Sequence, residues 1–279
     1  MQPMLNIALR AARAAGEFII RATERFDANS VSEKDAKDYV TEVDRAAEKI
    51  IVEALLKAHP DHSILGEEGT RIQGTGAGAD YQWIIDPLDG TTNFIRGVPQ
   101  FAVSIACKYR GRLEHAVVVD PVRQEEITAS RGRGAALNGR RIRVSEQKSL
   151  DGALLGTGFP FRDSQMEHFE NYLGMLRNLT GQTAGIRRAG AASLDLAYVA
   201  AGRFDAFWEY GLSEWDMAAG VLLIQEAGGL VSDFVGGHSH LESGHIVAGN
   251  AKCFKAVLTA IQPNVPSSMK PQKASTASY

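Results

Sequence analysis

Trp83-Ile84-Ile85-Asp86-Pro87-Leu88-Asp89-Gly90-Thr91-Thr92-Asn93-Phe94 is the stretch on which the reading of this 279-residue chain turns. The apolar run Trp83 to Ile85 reads as a buried strand. It delivers two carboxylates, Asp86 and Asp89, that repel each other unless something pairs them. Pro87 locks its own φ and carries no amide proton, so the chain is expected to leave the strand and turn there. Gly90 then permits a backbone conformation that a Cβ would penalise. The expected product is a rigid turn presenting two carboxylates, the Leu88 carbonyl and the hydroxyls of Thr91 and Thr92 to one point. Oxygen donors of this kind suit Mg²⁺ or Mn²⁺ far better than zinc or copper. A phosphatase that uses an aspartate nucleophile would need one two positions before Asp89, where Pro87 stands. A covalent aspartyl-phosphate route is therefore disfavoured, and metal-activated water is the better reading.

Composition sets the frame. Hydrophobic residues make up 44% and charged residues 23%, with a net charge of −3. This is ordinary for a soluble globular protein and leaves no global electrostatic footprint for nucleic acid. Cys107 and Cys253 lie far apart without metal-like spacing, so buried or free thiols in a reducing compartment are expected. No apolar stretch approaches the roughly 20 residues a bilayer span needs. The N-terminus lacks a signal-peptide core, and the expected location is cytoplasmic.

Periodicity predicts amphipathic helices over about 4–26 and 41–58, with a polar loop containing Lys34 and Lys37 between them. Short strands at 62–65 and 83–86 precede a series at 101–109, 113–119 and 126–129, which predicts an antiparallel sheet. From Leu150 the texture becomes strand-helix alternation: strands at 153–156, 205–208, 230–232 and 246–248, helices at 166–179, 193–200, 215–227 and 251–261. The division is an N-terminal α+β half (1–149) with the antiparallel sheet and most metal ligands, and a C-terminal α/β half (150–262). A mobile tail (263–279) follows, too poor in apolar residues to offset its ordering entropy.

Three further acids stand where they could join Asp86 and Asp89, and each also has an ordinary reading. Glu67 follows an apolar strand in Gly66-Glu67-Glu68-Gly69, a solvated turn otherwise. Asp216 opens a helix, where the dipole alone favours an acid. Asp44 lies three residues after Thr41, in capping-box position.

Four segments in order, Asp38 to Asp44, Gly66-Glu67-Glu68, Trp83 to Phe94, and Trp215-Asp216-Met217-Ala218-Ala219-Gly220, give the chain its resemblance to the inositol monophosphatase family of Mg²⁺-dependent, lithium-sensitive phosphatases. Gly158 to Phe161, Leu194 to Arg203 and Ala248-Gly249-Asn250 make it most similar to the family's bacterial SuhB-type branch. The resemblance implies a layered α-β-α-β-α sandwich and a homodimer. It implies that Glu67, Asp86 and the Leu88 carbonyl hold one Mg²⁺, that Asp86, Asp89 and Asp216 hold a second, and that Glu67 reaches a third through water. Asp44 and Thr91 would orient the attacking water beside Glu67, and the Gly90 and Thr91 amides would meet the phosphate. Ala192 and Glu209 fall where the family binds the inositol ring. Trp208 or Tyr210 would be walls, strand alternation sending one of them to the core. The expected reaction is hydrolysis of myo-inositol 1-phosphate, with another sugar or nucleotide monophosphate as the alternative. No basic pocket for a second phosphate is evident.

The same branch is implicated in ribosomal RNA transcription, as antitermination factors acting with NusA and RNA polymerase. This second expectation, an assembly role in which catalysis is dispensable, attaches to Arg187 and Arg188. The basic turns at Arg131 to Arg133 and Arg140 to Arg143 read as solvated surface, and direct RNA binding is not indicated.

Overall fold

The computed structural model describes residues 2–24, 32–35, 38–160 and 163–269. Lys37, Phe161 and the end of the expected tail (270–279) lie outside the described residues. In chain order the first elements are helix α1 (Pro3–Thr23), strands β1 (Ser32–Asp35) and β2 (Asp38–Val40), and helix α2 (Glu42–Ala58). Then come β3 (Ser63–Gly66), β4 (Arg71–Ile72), β5 (Tyr81–Asp89), the short helix α3 (Thr91–Ile95), β6 (Ala102–Tyr109), β7 (Arg112–Asp120), β8 (Glu125–Ser130), β9 (Gly134–Leu137) and β10 (Arg140–Ile142). The second half holds β11 (Leu154–Thr157), α4 (Phe169–Thr180), β12 (Gly185–Arg187), α5 (Ala192–Ala200), β13 (Ala206–Glu209), α6 (Glu214–Glu226), β14 (Leu230–Ser232), α7 (His240–Ser243), β15 (Ile246–Gly249) and α8 (Ala251–Ile261).

Two sheets carry the architecture. The larger runs β10-β9-β8-β7-β6-β5-β3-β4, antiparallel except for the parallel pair β3–β5. The smaller runs β12-β11-β13-β15-β14. Side-chain alternation then sets the layers. On β5, Trp83 and Ile85 face the core beneath α1 and α2, while Ile84 faces the opposite core with α5 and α6. On β13, Phe207 faces that same central core, while Ala206 and Trp208 face α4 and α8. The product is an α-β-α-β-α sandwich, as expected. Its central core draws on both halves of the chain, Ala102, Ala106 and Ala116 meeting Leu196, Met217 and Val221. Small residues there let the helices approach closely; a Cβ at Gly220 of α6 would overlap Leu196 of α5.

Several expectations need correction. β5 does not end at Pro87 but runs on to Asp89, with the pairing to β6 shifting between Asp86 and Asp89. An irregularity of this kind accommodates a residue without an amide donor inside a sheet. Part of the expected loop after α1 is the hairpin β1–β2, and β4, β9, β10 and β12 are strands that periodicity did not show, being two to four residues long. The helix expected from Met166 begins as a 3-10 turn over Asp163–His168 before α4. Residues 263–269, assigned to the mobile tail, continue in 3-10 turns. Val265 is buried there, and the Asn264 carbonyl accepts from Asn171 Nδ2 at 3.0 Å. Both cysteines are free and buried. No helix among the described residues is long and apolar enough to cross a membrane.

Candidate active site

Three elements bring their ends to one cavity of about 330 Å³. Glu67 follows the end of β3, and its amide donates to the Ile85 carbonyl at 3.0 Å. Its turn is held from behind by Glu48 of α2, which is buried and accepts from the amides of Glu68 (2.8 Å) and Thr70 (3.1 Å). A Cβ at Gly66 would overlap that carboxylate, so the glycine is what lets α2 support the turn. Asp86 is 1% exposed on β5, with Oδ1 accepting from the Leu88 amide at 3.0 Å. Asp216 sits in the first turn of α6, where Oδ2 accepts from the Ser213 amide at 2.7 Å in a capping box. Carboxylate oxygens of Glu67, Asp86 and Asp216 all lie within 4.8 Å of one another.

Such crowding is electrostatically unfavourable. Burial, then Glu67, Asp89 and Asp216 in turn, push the Asp86 carboxyl well above the usual range. Burial likewise pushes Asp89 up to about 6, against hydrogen bonds from Ser193 that favour its charged form. Acids gathered at this cost are relieved by a cation, and an all-oxygen donor set fits a hard divalent ion such as Mg²⁺.

Beside them, Gly90 holds φ +96°, and a Cβ there would come within 2.8 Å of the Gln100 carbonyl. This backbone turn leads into α3. Thr91 Oγ1 lies 2.8 Å from Asp44 Oδ1 and 3.1 Å from the Leu88 carbonyl, so its one proton points inward and its lone pairs remain for the cavity. Asp44 is buried, and its Oδ2 accepts from the Thr41 amide at 2.8 Å and from the Thr41 hydroxyl. One Asp44 oxygen thus caps α2 while the other meets the Thr91 hydroxyl. Burial pushes this carboxyl up, with Thr41 and Thr91 opposing.

Residues 1–267 match the profile of the inositol monophosphatase family. The chain belongs to the inositol monophosphatase family. A protein named Nus factor SuhB from Pseudomonas aeruginosa is 78% identical over 97% of this chain and all of its own length. One of the same name from Escherichia coli is 52% identical over the same shares. Among solved structures, the extragenic suppressor protein suhB of Bartonella henselae superposes with a TM-score of 0.89 at 42% identity, covering 94% of this chain and 99% of its own. An inositol monophosphatase from Anabaena gives 0.82 at 38%, covering 95% and 97%.

Within this member of the inositol monophosphatase family the expected residues divide. Glu67, Asp86, Leu88, Asp89, Gly90, Thr91, Ala192, Glu209 and Asp216 all line the cavity. Asp44 stands behind the wall and acts through Thr91. Asp89 is the departure within the carboxylate set: its Oδ2 accepts from the amide (2.7 Å) and hydroxyl (2.5 Å) of Ser193 at the start of α5, a cross-half contact that no local pattern reveals. Trp208 is fully buried beside Tyr172, and Tyr210 stacks on His245 at 4.6 Å; neither lines the cavity. The structure also separates the two arginines. Arg187 ends the edge strand β12, whereas Arg188 lines the cavity with its guanidinium 5.6 Å from the Phe159 ring centre. Arg188, expected to take part in assembly, thus stands in the cavity wall. Sequence reasoning missed Glu48, Ser193 and Asp195. Glu48 and Asp195 share one signal, an acid inside the apolar face of a helix.

Gly158 carries a testable consequence, since a Cβ there would overlap the Glu209 carboxylate. Gly158→Ala is expected to displace Glu209 and raise KM for an inositol ester about tenfold, with thermal stability nearly unchanged. Steady-state kinetics checks this, and an unaltered KM would remove Glu209 from substrate binding.

Proposed function

We propose that this chain hydrolyses phosphate monoesters with the aid of two to three Mg²⁺ ions, Mn²⁺ being able to substitute, and that myo-inositol 1-phosphate is its substrate. The observation that carries this is the convergence of Glu67, Asp86 and Asp216 on one cavity, with Asp89 and the Leu88 carbonyl beside them. Glu67, Asp86, Leu88, Asp89 and Asp216 would hold the ions, which supply Lewis acidity toward the ester and ready a water for attack. Thr91, with its proton directed to Asp44, accepts from the attacking water and orients it beside Glu67. The Gly90 and Thr91 amides and the Arg188 guanidinium bind the phosphate. Glu209 and the backbone at Ala192 bind the hydroxyls of the leaving alcohol. Phosphate release from myo-inositol 1-phosphate, with and without Mg²⁺, for the parent and Asp86→Asn, tests the reading. Metal-independent turnover, or turnover surviving the substitution, would sink it.

A second reading rests on the names of the relatives at 78% and 52% identity, each called a Nus factor. We infer a further role in transcription antitermination, with NusA and RNA polymerase as partners and a homodimer as the acting form. Arg187, exposed at the sheet edge and outside the cavity lining, is the residue assigned to it. Arg187→Glu is expected to weaken capture of purified NusA and RNA polymerase about tenfold and to leave phosphate release intact. Asp86→Asn is expected to do the reverse. Binding lost on Asp86→Asn but kept by Arg187→Glu would overturn this assignment.

A further inference from the structure

Asp195 is an acid that the proposed chemistry leaves unused. It lies in the first turn of α5, is 1% exposed, and lines the cavity. Its Oδ1 is buried with no hydrogen-bond partner among the described residues. Buried polar atoms are nearly always partnered, so an orphan in the wall of a cavity marks a contact that a ligand completes. The helix cannot turn to satisfy it otherwise. Ser193, two residues earlier, is tied to Asp89, and Leu194, Leu196 and Ala197 are packed in the central core.

The surroundings say which part of a substrate it meets. Asp195 interacts electrostatically with Glu209, Asp89 and Arg188, and burial with those two acids pushes its carboxyl well above the usual range. A buried carboxyl oxygen without a partner accepts from an alcohol hydroxyl, which has a proton to donate to it. A phosphate dianion only accepts, and is repelled by Glu209. The Asp195–Glu209 side of the cavity therefore suits the alcohol portion of an ester.

We propose that Asp195 is a specificity-determining residue that hydrogen-bonds a substrate hydroxyl beside the one met by Glu209. This rests on the phosphomonoesterase reading above and adds a residue to it.

The test measures kcat and KM for myo-inositol 1-phosphate and for phenyl phosphate, which has no hydroxyl, in the parent, Asp195→Asn and Asp195→Ala. Asp195→Ala is expected to lose about 10–100-fold in kcat/KM on the inositol ester, mainly through KM, and under about threefold on phenyl phosphate. Asp195→Asn, whose amide also donates and accepts, is expected to stay within about fivefold of the parent on both. The unfolding midpoint of Asp195→Ala is expected to equal or exceed that of the parent, because the orphan carboxyl holds nothing in place. Equal losses on both esters, a fall in midpoint for both variants, unchanged selectivity, or a parent that prefers phenyl phosphate would each overturn the proposal. If the parent releases no phosphate at all, calorimetric titration with inositol 1-phosphate decides. Tighter binding by the parent than by Asp195→Ala supports the contact while the hydrolytic reading falls; equal or absent binding overturns both.

Discussion

Asp86→Asn is expected to lower kcat for Mg²⁺-dependent phosphate release by about 10³-fold or more, the scale on which one preorganised electrostatic group acts in a water-poor site. Asp86 is the acid most enclosed by the others, with Glu67, Asp89 and Asp216 all raising its proton affinity. The first two ions assigned to the site would share it, so no neighbour can compensate. The side chain keeps its shape and its acceptor for the Leu88 amide, which separates the loss of charge from a loss of fold. The metal-free variant is expected to be more stable than the metal-free parent, because one buried charge has been removed from a repelling group. For a chain of this size the midpoint rises about 2–4 °C per kcal/mol relieved. Phosphate-release assays and thermal melts check both parts. A variant that is inactive and also less stable without metal would point to a structural role for Asp86.

The second large effect couples metal, pH and stability. Both Asp86 and Asp89 are raised in the folded protein, Asp89 to about 6, whereas an unfolded aspartate titrates near about 3.9. The folded state therefore holds protons that the unfolded state has already released. For Asp89 the resulting stability is fully present below the unfolded value and is lost as pH rises through about 6. The metal-free midpoint is expected to fall as pH rises from about 4 through about 6. Mg²⁺ is expected to bind the deprotonated acids and reverse the trend, adding about 2.7 kcal/mol at a free concentration one hundred times its Kd. Thermal melts across this range, with EDTA and with Mg²⁺, read the crossing. Parallel profiles in the two conditions would mean that these carboxylates do not hold the ion.

Much of the site was legible because its chemistry is carried by contiguous residues. Asp86 to Thr91 announce oxygen donors leading into a constrained turn, and that turn is dictated by local sterics at Gly90. Thr41 with Asp44, and Ser213 with Asp216, are helix starts whose acids take part in a cap and also stand at the cavity, Asp216 in its wall and Asp44 behind Thr91. For that reason the bland and functional readings of these acids could not be separated by sequence: one carboxylate can meet both demands. The strand boundaries of β5 were misjudged because Pro87 forbids a ladder donor but not a bulge, and only the partner strand β6 decides which occurs. The short strands β4, β9, β10 and β12 escaped because two to four residues hold too little periodicity to read.

By itself the sequence determined the donor types, the caps, the apolar faces of α1, α2 and α8, and, through the order of four segments, the family. These depend on neighbours within a few positions. The tertiary structure decided which acids converge, and it alone turned Asp89 toward Ser193, set Glu48 behind the Glu67 turn, sent Trp208 to the outer core, and left Asp195 buried in the cavity wall. The reason is physical. Desolvation, repulsion and hydrogen bonding of a carboxyl are fixed by whatever lies within a few ångströms, and here those neighbours come from chain segments as many as 149 positions apart, as Glu67 and Asp216 are.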